Sequence, residues 1–201
     1  MNINAQMVKE LRIRTSAGIM DCKEALKACQ GNLEKAVEYL RKKGIKTASS
    51  KFKRQALSGK IESYIHLYGK IGVLVEVNCE TDFVANTEDF KIFVKDIAMQ
   101  IAASNPKYIT RNDVPKNIID KEKEIIYAQM EKTNKPAKIL NKIVEGKLEK
   151  YFQENCLLEQ LFIKDDRKTV NDLLLETIGK LGENIIIKRF ARFKLGEEIW
   201  N

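Results

Sequence analysis

Residues 71–77 read IGVLVEV, an apolar run that one charge, Glu76, interrupts. A run this short and this apolar, preceded by a Tyr68-Gly69-Lys70 turn, reads as a strand from the middle of a sheet. The stretch before the turn, from Gly59, supplies its hairpin partner. The period then changes. Phe90, Phe93, Val94, Ile97, Ala98, Ile101 and Ala102 fall three and four apart, which is one face of a helix. Glu88 and Asp89 stand in its first turn, where the helix dipole favours anions, and Asn86 or Thr81 is placed to cap it. The hairpin followed by a long amphipathic helix, with helices before and after and one last strand, suggests antiparallel strands packed with helices. At the corner between them a carboxylate, Asp82, and a phenyl ring, Phe83, stand side by side.

The flanking segments are helical. Residues 1–45 predict three short helices in a compact bundle. Met7, Val8 and Leu11 share a face of the first, and Thr15-Ser16-Ala17-Gly18 breaks it. Asp21 opens the second, with Glu24 at the capping-box spacing and Cys22, Ala25, Leu26 and Cys29 as its apolar face. Gly31 ends it, and Asn32 caps the third, where Leu33, Ala36, Val37 and Leu40 repeat. Gly44 stands where a helix-ending glycine belongs. Residues 46–58 then read as a basic linker, and 59–201 as an α+β core. Within that core, 113–153 predict a helical hairpin. One arm carries Ile118, Ile119, Ile125, Ile126, Gln129 and Met130. The other carries Ile139, Leu140, Ile143, Val144, Leu148, Tyr151 and Phe152, with the turn at 132–136. Cys156–Ile163 reads as an extended piece. Thr169 with Asp172 caps a further helix ending at Gly182, and 183–195 is a last strand.

Little in the chain points to covalent chemistry. The cysteines are Cys22, Cys29, Cys79 and Cys156, the one histidine is His66, and none of these makes a metal-ligand spacing. The thiols read as small core hydrophobes of a reducing compartment. Glycine-rich phosphate loops and nucleophile elbows are missing from the sequence, so neither a catalytic residue nor a cofactor or metal is expected. No apolar run is long enough for a membrane span. The net charge is +8, and residues 1–60 hold 14 Lys/Arg against 5 Asp/Glu. Segment 41–60 has eight Lys/Arg and no acid. That excess leaves two readings: a solvated linker, or a surface for an acidic partner such as RNA or a ribosome. Asp82-Phe83 also leaves two: a ring folded back into the core beside a capping acid, or a projecting pair that enters a partner's groove.

Two stretches in order, VKELRIRTSAGIMDCKEAL (8–26) and VNCETDFVA (77–85), resemble the elongation factor Ts family. IAASNP (101–106), VEGKLEKYF (144–152) and GENIIIKRFARFKLGE (182–197) extend the likeness over essentially the whole chain. The resemblance implies a ubiquitin-associated-like fold for the first three helices, and the family's coiled-coil protrusion for 113–153. It implies a guanine-nucleotide exchange factor that docks on the G domain of elongation factor Tu, with no direct nucleic-acid binding and no covalent step. Thr81, Asp82, Phe83 and Val84 match the motif that enters the G domain beside its magnesium ion. Ile19 and Met20, in the loop before the second helix, match contact positions, as do Arg12 and Lys51. His66 matches a histidine near that interface in longer members, whose counterpart lies in the other half of a doubled core. This chain has a single β-core, so a homodimer is expected, made by the hairpin, a sheet face or a Cys156 bridge. The implied location is the cytoplasm of a bacterium, or a plastid or mitochondrial interior. A generic ubiquitin-associated-like adaptor without exchange activity is the third alternative.

Overall fold

The computed structural model of the chain describes residues 3–15, 17–66, 68–130 and 136–197, and leaves aside the side chains of 45–49, 137 and 138. It opens with helices α1 (Ala5–Thr15), α2 (Ile19–Ala28) and α3 (Leu33–Lys51). Strands β1 (Ser58–His66) and β2 (Ile71–Cys79) follow, then a one-turn helix α4 (Asp82–Ala85) and the long α5 (Glu88–Ser104). Next come α6 (Lys116–Met130) and α7 (Ala137–Asn155), a short hairpin of β3 (Leu161–Phe162) and β4 (Asp165–Thr169), α8 (Val170–Leu181) and β5 (Ile186–Lys194). The mixed helix-and-sheet architecture is the expected α+β class.

Two compact units are built from interleaved segments. The first holds 1–61, 76–94 and 172–188. Its N-terminal helices bury Leu11, Cys22, Ala25, Leu26, Ala36 and Leu40 together, the positions their periodicity assigns inward. Each buried leucine there contributes about 2 kcal/mol of transfer free energy. Asn32 caps α3 as expected, accepting from the Lys35 amide at 3.0 Å.

The structure corrects three local expectations in this unit. Asp21 does not open α2. Gly18 is its N-cap, and the carboxylates of Asp21 and Glu24 instead receive Lys43 Nζ from α3, at 3.0 and 2.7 Å. Gly44 does not end α3, which continues to Lys51, so the expected linker from residue 46 is helical over its first part. The physical reason lies in α8. A Cβ on Gly179 would sit 3.3 Å from Gly44 Cα, so the bare Cα of Gly179 lets the α8 backbone approach α3 closely at Gly44, where a Cβ would meet nothing. Thr87, not Asn86, caps α5. Its hydroxyl accepts from the Phe90 amide at 3.3 Å, while Asn86 closes the preceding turn.

The second unit holds 62–75, 95–171 and 189–201. The β1–β2 connection carries Tyr68 at φ 54° and Gly69 at φ 85°, the left-handed pair of a tight hairpin turn. β2 is central in the order β1-β2-β5, as its apolar run predicts. Its burial alternates, however. Val73 and Val75 are shielded while Leu74 between them is half exposed, so one face of the strand is left uncovered. The helical hairpin is present as α6 and α7. Ile126, Met130 and Val144 are buried in one cluster, and Val114, Phe152 and Cys156 in another. Arg111 braces its base, bridging Glu149 (3.0 Å) and Glu159 (2.7 Å) above the Phe152 ring. Ile125, Gln129 and Ile139 face solvent instead of lining the arms. Most of the expected turn at 132–136, like Ser16 after α1, lies outside the described residues. The expected extended piece at Cys156–Ile163 is a bridge from Cys156 to Tyr108, a single 3-10 turn and β3.

A candidate partner-docking corner

The ETDF segment sits where β2 hands over to α4. Thr81, extended at φ −132° and ψ 156°, caps the turn, its hydroxyl accepting from the Val84 amide at 3.4 Å. At the other end the Asn86 amide and side-chain N–H both donate to Asp82 O, at 3.1 and 2.9 Å. Thr87 Oγ1 donates to Val84 O at 2.7 Å. Ala85 is buried and anchors the turn. Phe83 lies two residues earlier, about 200° around the helix axis, so it must face away from that anchor. Its ring is 89% exposed. The ring is therefore not folded back into the core. Asp82 is also exposed and Val84 half buried.

The turn is held from a distant part of the chain. Glu183, just beyond α8, accepts the Glu80 amide (3.1 Å) and the Thr81 amide (3.0 Å) on one carboxylate oxygen, and the Thr81 hydroxyl (2.6 Å) on the other. Glu80 returns the contact, accepting the Asn184 amide at 2.7 Å. Each segment's carboxylate thus satisfies the other's backbone donors. Asn184 also donates to Arg54 O at 2.7 Å, and Arg54 lies 3.5 Å from the Glu80 carboxylate. Lys51 Nζ donates to Gly182 O. Cys79, buried beneath, donates its thiol to Thr81 O at 3.2 Å. Burial, and then the nearby Glu183 carboxylate, push that thiol up to about 11.

Of the other expected contact residues, Ile19 and Met20 are 55% and 75% exposed in the first turn of α2, not in a loop before it. Arg12 is exposed on α1. Lys51 is committed to Gly182. His66 belongs to the second unit, where Tyr64 stacks on it and its hydroxyl lies 2.9 Å from Nδ1. The sequence reading missed Glu183, Asn184, Glu80 and Arg54. A weak signal for the first two was an acid and an amide placed straight after the helix-ending Gly182, ahead of an apolar strand. Their partners, about a hundred residues away, leave no local trace.

An exposed ring with an adjacent acid on a doubly braced turn fits insertion into another protein. Among the described residues no His/Cys/Asp/Glu group is arranged to hold a metal ion, and no helix is long and apolar enough to cross a membrane.

Comparison with known proteins places the chain in a family. The sequence profile described as Elongation factor TS matches residues 5–197. The Elongation factor Ts of Caldanaerobacter subterraneus subsp. tengcongensis is 61% identical over 197 residues, covering 98% of each chain. That of Thermoanaerobacter sp. (strain X514) is 60% identical, covering 98% of this chain and 97% of the relative. That of Carboxydothermus hydrogenoformans is also 60% identical, covering 97% and 90%. With the profile spanning nearly its whole length, the chain belongs to the elongation factor Ts family of translation elongation factors.

Proposed function

We propose that this chain binds the G domain of elongation factor Tu in its GDP-bound form and accelerates GDP release. The observation that carries the reading is Phe83, a phenyl ring 89% exposed on a turn braced at both ends. A ring left in water at such cost, about 2 kcal/mol of unrealised burial, fits a residue whose apolar area is used in a complex. On insertion, Phe83 separates partner side chains and shifts the elements that position the nucleotide's magnesium ion. Asp82 directs the ring, and Thr81 and Val84 hold the turn. Loss of the ion leaves phosphate charge uncompensated, and GDP departs. By linkage, nucleotide weakens the factor's own binding by the same factor, so the complex turns over. No bond in the nucleotide is made or broken. Ile19, Met20 and Arg12 supply a second contact from α1 and α2. His66 remains a candidate contact.

The RNA reading loses support because two of its cations, Lys51 and Arg54, are engaged within the fold. The adaptor reading gives no reason for a projecting, braced phenyl. The test times release of labelled GDP from elongation factor Tu. Phe83→Ala should slow stimulated release about tenfold or more with folding unchanged. Equal rates for variant and wild type would sink the wedge.

Homodimer formation, with the factor acting in a bacterial cytoplasm or an organelle interior, belongs to the same proposal. The side chains of Ile65, Leu74 and Phe193 support it: they are 66%, 51% and 58% exposed, all in the second unit. A second copy of the same apolar sheet face is the occupant they favour. Cys156 is buried, which argues against a bridge between copies.

A further inference from the structure

We propose that Glu183 is the positioning residue of the exchange corner: its carboxylate fixes the direction in which Phe83 projects. The inference rests on the exchange reading above and adds to it a residue outside the ETDF motif.

α4 cannot hold its own direction. A four-residue helix is far too short to persist through its own hydrogen bonds. Its entry angle must be imposed from outside. Thr81 is the residue that sets this angle, and three of its polar groups are tied. The hydroxyl goes to Glu183 Oε1 and the amide to Glu183 Oε2, and the carbonyl accepts from the Cys79 thiol. Two of these three ties end on one carboxylate, 102 residues away in sequence. The same oxygen that takes the Thr81 amide takes the Glu80 amide, so rotation about the last residues of β2 is locked as well. A carboxylate suits this task because both oxygens only accept, and every group facing them here donates. Charge-assisted bonds of this kind are about twice as strong as neutral ones.

Glu183 is itself held on both sides. Lys51 fixes the Gly182 carbonyl before it, and Glu80 and Arg54 fix Asn184 after it. Lys51 at the end of α3 and Arg54 just beyond it thus brace the corner from behind, Lys51 on the Gly182 carbonyl and Arg54 on Asn184 and Glu80. Loss of the carboxylate should leave the fold standing but let the ring sample several directions. A rigid wedge would become a mobile one, which binds but does not push.

The experiment uses the full chain with elongation factor Tu loaded with fluorescent GDP. Two quantities are read: the maximal release rate at saturating factor, and the factor concentration giving half of it. Glu183→Ala should lower the maximal rate about tenfold and change the half-saturating concentration less. Glu183→Gln keeps one acceptor oxygen but loses the charge and the second acceptor, so it should slow release less than Glu183→Ala does. In a Phe83→Ala background, Glu183→Ala should add less than about twofold, because both changes remove the same push. Losses that multiply, or a Glu183→Ala rate equal to wild type beside a slow Phe83→Ala, would overturn the proposal. Should Glu183→Ala fail to fold, Thr81→Val removes the hydroxyl's tie to Glu183 together with its cap on the Val84 amide, and should lower the rate in the same direction. A second readout needs no partner. With 4-fluorophenylalanine at position 83, the fluorine resonance of the isolated factor should broaden or shift in Glu183→Ala. An unchanged resonance overturns the positioning role, whereas a changed one with Phe83→Ala as fast as wild type upholds it and refutes the exchange reading.

Discussion

Cys79 and Cys156 show how one residue type can be named from sequence and still carry a hidden consequence. Both read as core thiols, and both are buried. Burial pushes each up to about 11 from an ordinary value of 9.0, with nearby carboxylates adding to the effect. The folded chain therefore keeps two protons that the unfolded chain gives up from about pH 9. Stability from this source is complete below pH 9 and is lost as pH climbs through 11. Denaturant midpoints measured across that window should fall in the wild type, and fall less steeply in Cys156→Ala. Parallel curves would contradict the assignment. At the same scale, Phe83 was legible as a candidate but not as a conclusion. Its exposure depends on Ala85 being the anchored side of the turn, which only packing decides.

At the scale of elements, the helices show where periodicity suffices. The buried face of α5 and the cap of α3 by Asn32 lie where spacing and residue type place them, because both are local rules. The end of α3 is not legible in the sequence because a glycine need not end a helix. A helix-ending glycine and one that a helix runs straight through look alike in one dimension. The structure separates them, and a pair of substitutions checks it. A Cβ at Gly44 meets nothing within 4 Å, so Gly44→Ala should raise stability by up to about 1 kcal/mol through helix propensity. Gly179→Leu would press a side chain against the Gly44 backbone and should lower the melting temperature clearly. A destabilised Gly44→Ala would restore it as a helix terminator. In the charge-rich stretch 41–60 all eight cations look available in a linear count, yet Lys51 and Arg54 reach Gly182 and Glu80.

For the whole molecule, the uncovered sheet face is the feature with the widest consequence. Leu74 alternates with Val73 and Val75 on the central strand, and Ile65 and Phe193 add further exposed apolar area. A homodimer through this face predicts that Leu74→Asp with Phe193→Asp sediments as a monomer. A wild type that is already monomeric under the same conditions would remove the proposal. The sequence by itself determined the α+β class, the three N-terminal helices, the central strand, the helical hairpin and the family. These follow from periodicity, turn residues and motif, all of which act over a few neighbouring positions. Only the tertiary structure decided that Phe83 points outward, that α3 runs on to meet α8, and that Glu183 holds Thr81. Each of these depends on groups separated along the chain and joined in space, where the pairing of buried donors with acceptors is settled and a linear pattern carries no record of it.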